Sequence, residues 1–342
     1  MSTKIFGIDF GTNSLKIYRK GEGLVYDQKS VIAIKGKNNV IAIGNEAFEM
    51  YGKSPEYITV DFPLKHGAIA SLSHMLSLLN CVFLDLSRQY GKFRGAEFTI
   101  ATPYDITEVE KRAFYDLVDS SIVRPKKLRL VEKPIADAIG AGIDVSNSQG
   151  ALLVNIGADT TEISILSMGG IVLSKLLPIG GNQFDDAIAA AVRKKYNLVI
   201  GQKTAEYVKR TLTDFSQESE LTCKAYGRDI VTGLPREREI SAALVNQAVL
   251  EDLNTIIETI RTILERTPPE IASDVFANGM TITGGSSAIA GLDQLVQATT
   301  GLRVSICQKG ALTVIEGLSH ILEEPEFDAL AQPLKESYYN EK

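Results

Sequence analysis

GIDFGTNSLKIY, residues 7–18, runs from an apolar segment through a polar turn into a second alternating segment. This alternation predicts two strands of a β-hairpin. Asp9 ends the first strand, and the turn then supplies Gly11 followed by Thr12, Asn13 and Ser14. Glycine lets the backbone approach a ligand closely, and the side chains that follow can donate hydrogen bonds. Such a surface suits phosphate and a metal ion, although an ordinary hairpin with a polar turn is the simpler interpretation of this segment alone.

A second hairpin of the same kind lies in LLVNIGADTTEISIL, residues 152–166. Asn155 falls at the place of Asp9, and Gly157 falls at the place of Gly11. The polar residues that match Asn13 and Ser14 are Asp159, Thr160 and Thr161. Two similar hairpins half a chain apart predict a duplicated domain in which each copy presents a phosphate-binding turn.

A third glycine-containing element lies in MTITGGSSAIAGL, residues 280–292. Its β-rich segment ends in Gly284 and Gly285, and Ser286 and Ser287 then open a helix. Because the N-terminus of a helix attracts anions, this element predicts a site for a phosphate or a ribose.

Composition narrows the class of protein. A chain of 342 residues with 44% hydrophobic content is long enough for about two domains. The 42 acidic residues exceed the 36 scattered basic ones, which disfavours nucleic acid as a partner. Cys81, Cys223 and Cys307 lack CxxC spacing, which disfavours a zinc site or a disulfide framework. No segment reaches the roughly 20 apolar residues of a membrane span, so we expect a cytoplasmic protein, with peripheral membrane contact left open.

With these elements in place, the chain resembles the MreB family of bacterial actins, within the superfamily of actin, heat-shock-chaperone and sugar-kinase ATPases. The resemblance runs nearly end to end. The segments that carry it are GNEAFEMYGKSP (44–55), PLKHGAIA (63–70), ITEVEKRAF (106–114), EKPIADAIGAG (132–142), KKYNLVIGQKTAEYVK (194–209), GRDIVTGLP (227–235) and LERTPPEIASDVFANGMTITGG (264–285).

The resemblance implies an α/β actin-like ATPase fold of two duplicated ribonuclease-H-like domains, with a nucleotide in the central cleft. Domain I would comprise residues 1–145 and about 310–342, with a smaller subdomain inserted at about 30–75. Domain II would comprise residues 146–310, with an insertion at about 183–245. Local patterns agree, because EFTIATP and GALLVNIG read as buried strands and residues 242–265 as an amphipathic helix. Its apolar face would carry Val249, Leu253, Ile256, Ile260 and Leu264.

The resemblance also implies ATP and Mg²⁺ as cofactors and assigns residues to them. Asp9 would lie near the water shell of the metal, because Mg²⁺ prefers oxygen ligands. Lys16 would add charge to the phosphate site, or would be an outward residue of an alternating strand. Glu206 and Lys209 would grip the ribose and adenine, or would form an ordinary salt bridge on a helix. The other assigned groups are Thr12, Asn13 and Ser14 for the β-phosphate, Gly157, Ala158, Asp159, Thr160 and Thr161 for the γ-phosphate, and Gly284, Gly285 and Ser286 for the α-phosphate and adenosine.

The sequence departs from the family pattern at the residues expected to act in hydrolysis. The family's Asp-x-Gly-Gly-Gly-Thr-Thr turn has Asn155 in place of aspartate, and Ala158 and Asp159 in place of two glycines. The family's Glu-Glu-Pro has become Glu132-Lys133-Pro134, so the catalytic carboxylate either survives as Glu132 or is lost at position 133. Phosphoryl transfer depends on positioning and charge, so these changes predict slow or impaired ATP hydrolysis with nucleotide binding retained.

The partner that the resemblance implies is the chain itself, in paired filaments that organise cell shape and cell-wall synthesis with membrane proteins of the elongation machinery. The loop QYGKFRG, residues 89–95, either inserts Tyr90 and Phe93 into an anionic membrane or packs locally. The polar segment after Glu323 is expected to be a mobile end or a partner segment. Alternative functions are plasmid segregation or organelle positioning by another bacterial actin, or a small-molecule kinase; a chaperone would need a peptide-binding domain beyond residue 342.

Overall fold

The computed structural model describes residues 4–93 and 95–334, which fall into two compact units. Unit 1 contains the described residues of Met1–Val145 and Leu312–Lys342, and unit 2 is Ser146–Ala311. Within the described residues, none of the helices combines the length and apolar character that crossing a membrane requires.

Unit 1 is built on a five-stranded sheet in the order β10-β9-β1-β2-β3. A smaller sheet in the order β5-β4-β6 and the β7–β8 pair accompany it. The strands are β1 (Ile5–Phe10), β2 (Ser14–Arg19), β3 (Gly23–Lys29), β4 (Ile32–Lys35), β5 (Asn39–Ile43), β6 (Ile58–Asp61), β7 (Leu64–Lys65), β8 (Ala68–Ile69), β9 (Glu97–Thr102) and β10 (Lys127–Glu132). The helices of this part of the chain are α1 (Gly44–Met50), α2 (Leu72–Tyr90), α3 (Glu108–Asp119) and α4 (Lys133–Gly140).

Unit 2 is built on a second five-stranded sheet, in the order β13-β12-β11-β17-β18. Its smaller sheet has the order β14-β15-β16. The strands are β11 (Ala151–Ile156), β12 (Thr161–Ser167), β13 (Gly170–Leu177), β14 (Leu198–Val199), β15 (Thr222–Asp229), β16 (Pro235–Ser241), β17 (Met280–Thr283) and β18 (Val304–Ile306). The helices are α5 (Gly181–Tyr196), α6 (Gln202–Leu212), α7 (Ala242–Arg266), α8 (Pro269–Asn278) and α9 (Leu292–Thr300).

The two large sheets have the same topology, and this confirms the predicted duplication. In each sheet the first strand of a hairpin pairs antiparallel with the second and parallel with a later strand: β1 with β2 and β9, and β11 with β12 and β17. The residues that end the first strands, Phe10 and Ile156, are buried together with most of their strands. The turn between the hairpin strands spans residues 11–13 in unit 1 and residues 157–160 in unit 2.

The predicted amphipathic helix is confirmed as α7, which runs one residue beyond the expected range. Val249, Leu253, Ile256 and Ile260 are buried in the core of unit 2, and Leu264 is partly buried against it. Spacings of three and four residues place these side chains on one face of the helix, so their burial holds it against the sheet.

The chain returns to unit 1 in α10 (Thr313–Glu323), which contacts α4 closely. Gly140 and Gly317 lie at this crossing, where a Cβ on either glycine would overlap the backbone of the facing helix. Two small residues therefore let the helices approach at backbone distance.

The polar segment after Glu323 differs from the expected mobile end over its described part, residues 324–334. A 3₁₀ turn, Pro325–Leu330, contacts α10, and Arg129 pairs with the carboxylate of Asp328. The backbone N–H of Leu130 donates to the carbonyl of Gln332 at 2.7 Å, and the reverse bond is 2.9 Å long. This segment therefore extends the edge of the sheet at β10; residues 335–342 lie outside the described part.

Phe93 of the loop that was considered for membrane insertion belongs to the core of unit 1. Its side chain is 4% exposed, and its ring packs edge-on against Phe6 with 4.8 Å between centroids. Phe83 contacts it from α2, and the ammonium of Lys4 lies 5.4 Å from its centroid. The insertion of Phe93 into a membrane is therefore wrong for this structure, and the alternative, local packing, is correct; Arg94 of the same loop lies outside the described residues.

Candidate functional site

The turn of the first hairpin is fixed by hydrogen bonds from residues at the end of β3. The hydroxyl of Ser30 donates to the carbonyl of Gly11 at 2.6 Å, and the N–H of Ser30 donates to the carbonyl of Asn13 at 3.1 Å. The ammonium of Lys29 donates to the side-chain oxygen of Asn13 at 2.6 Å. Thr12 and Ser14 are partly exposed. The turn that was predicted to bind phosphate is thus held in place and accessible, and Lys29 adds a positive charge that was not predicted.

Asp9 is a buried carboxylate that faces two ammonium groups. It is 4% exposed, and it lies opposite Lys16 in the pairing of β1 with β2. The Nζ atom of Lys16 is 3.7 Å from Oδ2, and the Nζ atom of Lys133 is 3.7 Å from Oδ1. Lys16 is itself buried, so its alternative placement as an outward strand residue is wrong, and its ammonium lies beside Asp9.

The order of the parallel strands explains how Lys133 reaches Asp9. In the sheet, Asp9 of β1 is level with Ala101 of β9, and Ala101 is level with Val131 of β10. Lys133 follows two residues later as the first residue of α4, at the carboxyl end of these strands. Side chains that follow parallel strands meet at one edge of the sheet. The side chain at position 133 therefore reaches Asp9.

The turn of the second hairpin is packed against the start of helix α5. The N–H of Gly157 donates to the carbonyl of Thr160 at 2.8 Å, which closes the turn. Gly181 and Asn182 then donate their N–H groups to the carbonyls of Gly157 and Ala158 at 3.0 and 2.7 Å. The fit is close, since a Cβ on Gly180 would lie 2.8 Å from the carbonyl of Ala158.

Side chains of this second turn are engaged within unit 2. The amide of Asn182 donates to the carboxylate of Asp159 at 2.9 Å, so this acidic replacement for a family glycine has a partner at the start of α5. The hydroxyl of Thr161 donates to the carbonyl of Ile179 at 2.8 Å. Asn155, the next-to-last residue of β11, lies opposite Glu162, a buried acidic residue at the place that Lys16 has in unit 1. The structure therefore brings the predicted residues Gly157, Ala158, Asp159, Thr160 and Thr161 together with Asn155.

The third predicted element joins the same part of unit 2. Gly284 has φ +84°, and a Cβ there would lie 2.5 Å from the carbonyl carbon of Ile156, so only glycine fits. The hydroxyl of Ser286 donates to the carbonyl of Gly157 at 2.9 Å. Gly285 begins a 3₁₀ turn, Gly285–Ala288, rather than an α-helix. Gly284, Gly285 and Ser286 therefore lie beside the second turn, as a common site requires.

The predicted pair Glu206 and Lys209 is not a salt bridge. Glu206 pairs with Arg210 at 2.7 Å, whereas Lys209 pairs with Asp185 at 2.8 Å and donates to the carbonyl of Gly181 at 2.6 Å. Lys209 is thereby tied to the start of α5 beside the second turn. Burial raises the pKa of Asp185 to about 6, and the nearby Lys209 opposes that rise.

A family model described as MreB/Mbl protein matches residues 3–329. The chain belongs to the MreB/Mbl family. Among curated relatives, the cell shape-determining protein Mbl of Bacillus subtilis is 34% identical over 94% of this chain and 97% of its own length. The cell shape-determining protein MreB of Escherichia coli is 32% identical, with 94% of each chain covered. The expected family is confirmed.

Solved structures agree with this family assignment. MreB5 of Spiroplasma citri bound to AMPPNP has a TM-score of 0.89 and 33% identity, over 94% of this chain and 96% of that one. The same protein bound to ADP has a TM-score of 0.88 and 34% identity, with the same coverage. A chain from the MamK double helical filament, 22% identical, has a TM-score of 0.78 over 94% of this chain and 99% of its own, which supports the fold alone. The predicted actin-like α/β fold is confirmed.

Several residues of this MreB/Mbl-family site were not predicted. Lys29 and Glu162 were missed because a lysine or glutamate in an alternating strand gives no sign of its direction. The Gly180-Gly181-Asn182 segment did carry a signal, since two glycines before an amphipathic helix are typical of a close approach at a helix N-terminus. Asp185 lies one turn further along the same helix.

The predicted Mg²⁺ site at Asp9 does not suit the surroundings of that carboxylate. Mg²⁺ is held in proteins by one or two carboxylates together with water and substrate phosphates. Here the Asp9 carboxylate has an ammonium 3.7 Å from each oxygen, and the corresponding position of unit 2 is the uncharged Asn155. A divalent cation placed there would be repelled by both lysines. The donor set therefore disfavours a metal ion bound to Asp9.

Proposed function

We propose that this chain is a nucleotide-binding bacterial actin that assembles into cytoskeletal filaments and acts in cell shape, with slow or impaired ATP hydrolysis. The observation that carries the proposal is the duplicated hairpin, which gives each unit a glycine turn, in a fold that matches MreB5 bound to AMPPNP with a TM-score of 0.89. The role in cell shape rests on the two curated relatives, which are named cell shape-determining proteins.

In unit 1 the phosphate ligands are the turn residues Thr12, Asn13 and Ser14, with positive charge from the neighbouring lysines. The accessibility of the turn and the position of the Lys16 ammonium beside Asp9 support this assignment. The turn requires glycine at position 11, because a Cβ there would lie 2.5 Å from the carbonyl oxygen of Ser14.

In unit 2 the ligands are the turn from Gly157 to Thr161 and the element from Gly284 to Ser286. Their packing against the start of α5 supports the assignment, since the N-terminus of a helix favours a negatively charged phosphate. Lys209, tied to Gly181, is placed to contribute its charge beside the same helix start.

Slow hydrolysis is expected because Lys133 and Asn155 occupy two positions at which the family pattern has carboxylates. Position 133 presents an ammonium toward Asp9, and an ammonium cannot accept a proton from an attacking water or orient it as a carboxylate does. We assign the lost water-orienting group to this position. Asn155 is neutral and gives no compensating charge. Removing one such group slows phosphoryl transfer without preventing nucleotide binding, because binding does not require a group that orients the attacking water.

Assembly is the step that would turn nucleotide binding into a cellular function. Actin-like subunits associate head to tail, and such contacts generate open filaments because they do not close into a ring. Nucleotide would favour the assembling conformation by binding it more tightly than the other. We place the filaments in the cytoplasm; paired protofilaments, contact with an anionic membrane and contact with membrane proteins of the cell-wall elongation machinery stay predictions of the family resemblance.

The proposal is tested by pelleting and phosphate release on the same preparations. We expect the chain to pellet with ATP and with AMPPNP, and to release phosphate slowly. Asn155→Asp combined with Lys133→Glu should raise phosphate release by about 10²-fold, the lower range for one general acid or base. Protein that binds nucleotide tightly yet stays in the supernatant would refute the filament function, and unchanged phosphate release in the double variant would refute the assignment of the slow step.

A further inference from the structure

The turn of unit 1 carries an unusual balance of charge. The ammonium groups of Lys16 and Lys133 lie beside the buried carboxylate of Asp9, each 3.7 Å from one of its oxygens. Lys29 adds a third ammonium through its bond to Asn13. These four residues sum to a net charge of +2, so the turn attracts anions and repels cations.

The distances show that neither lysine is hydrogen-bonded directly to Asp9. A direct charge-assisted hydrogen bond between ammonium and carboxylate is about 2.7–2.9 Å long, so both lysines stand off from Asp9. Oxygen Oδ1 of Asp9 is buried and accepts no hydrogen bond from the residues that the structure describes, so Asp9 does not hold the ammonium of Lys133 by a direct hydrogen bond. An ammonium group carries three donors and a positive charge, so ammonium groups beside a phosphate-binding turn are suited to the oxygens of a polyphosphate.

We propose that this turn binds a nucleoside polyphosphate without a divalent cation, and that Lys133 supplies the positive charge that would otherwise come from the metal. The inference rests on the proposed nucleotide binding and adds the form of the ligand: the metal-free polyphosphate. Lys16 and Lys133 bind phosphate oxygens while the charge of Asp9 keeps both ammonium groups at the turn. Lysine at position 133 therefore has two effects: it removes the water-orienting carboxylate, and it supplies the positive charge of the metal ion.

The experiment is a calorimetric titration of the full chain with AMPPNP, once in excess Mg²⁺ and once in excess EDTA. The wild-type dissociation constants in the two buffers should agree within about threefold. Lys133→Glu restores a carboxylate and should make binding at least about tenfold weaker in EDTA than in Mg²⁺. Lys37→Glu, at an exposed position in the turn between β4 and β5, makes the same change in net charge and should keep the wild-type ratio.

The outcomes separate this inference from the proposed function. Wild-type binding that is at least about tenfold weaker in EDTA overturns the metal-free site while leaving nucleotide binding intact. No binding in either buffer overturns both. A Lys133→Glu variant that still binds equally well in the two buffers, with a circular dichroism spectrum like that of the wild type, overturns the role of Lys133. A ratio altered in Lys37→Glu as well would assign the effect to overall charge and overturn the site.

Discussion

Gly284→Ala is the substitution whose effect follows most directly from the structure. Gly284 has φ +84° and ψ 164°, a backbone region that is essentially restricted to glycine and costs other residues about 1–3 kcal/mol. The added Cβ would also lie 2.5 Å from the carbonyl carbon of Ile156 and 2.8 Å from its nitrogen, so the backbone must move. Overpacking of this kind costs about another 1–3 kcal/mol. We therefore expect a loss of about 4 kcal/mol in the free energy of unfolding.

Thermal unfolding followed by circular dichroism measures this loss. For a domain of about 150–250 residues, each kcal/mol lowers Tm by roughly 2–4 °C, so the variant should melt about 8–16 °C lower. Gly301→Ala is the matched control, because Gly301 has φ +74° but nothing within 4 Å of its added Cβ. Its cost is the left-handed conformation alone, about 1–2 kcal/mol. Equal melting temperatures for the two variants would show that Gly284 makes no close contact with Ile156, and the proposed arrangement beside the second turn would be refuted.

Three further substitutions test other parts of the molecule. Gly11→Val should lower AMPPNP affinity by at least about tenfold, since the turn must distort around a Cβ that lies 2.5 Å from the Ser14 carbonyl; unchanged affinity in calorimetry would exclude this turn from the site. Phe93→Ala should lower the free energy of unfolding by about 3–5 kcal/mol without changing the flotation of the protein with liposomes. If Phe93→Ala instead kept wild-type stability and floated less, membrane insertion of Phe93 would be favoured. The pKa of Asp185 is raised in the folded state from 3.8 to about 6, so the contribution of this residue to stability is greatest at low pH and is lost as pH rises through 4–6. In urea unfolding, the free energy of unfolding of the wild type should therefore fall by about 3 kcal/mol relative to that of Asp185→Asn over this pH range. Parallel pH profiles for the two proteins would contradict the raised pKa.

The duplicated fold could be predicted because its signal is local. Each hairpin consists of two apolar runs around a glycine turn, and both runs lie within about a dozen residues of each other, so the pattern is visible in the sequence. The full sheets, with β9 and β17 in corresponding places, confirm what the two hairpins indicate. The long helix α7 was predicted for the same reason, since its buried face repeats over several turns.

The chemistry of the site could be predicted only in part, because it depends on contacts between distant segments. Asp9 and Lys133 are far apart in the chain and meet only because β1, β9 and β10 are parallel neighbours with their ends aligned. Our proposal that position 133 is the one that lost the water-orienting carboxylate depends on that register. Phe93 shows the opposite difficulty: an aromatic residue between charged neighbours looks like a surface residue in the sequence, whereas the structure packs it against Phe6.

The central claim, that this MreB/Mbl-family chain polymerises with nucleotide bound, is tested most directly by negative-stain electron microscopy of a sample in which AMPPNP occupancy has been measured. At protein concentrations well above micromolar, we expect filaments with AMPPNP and few or none in nucleotide-free protein. Fields of single particles in a sample whose nucleotide sites are occupied would contradict it.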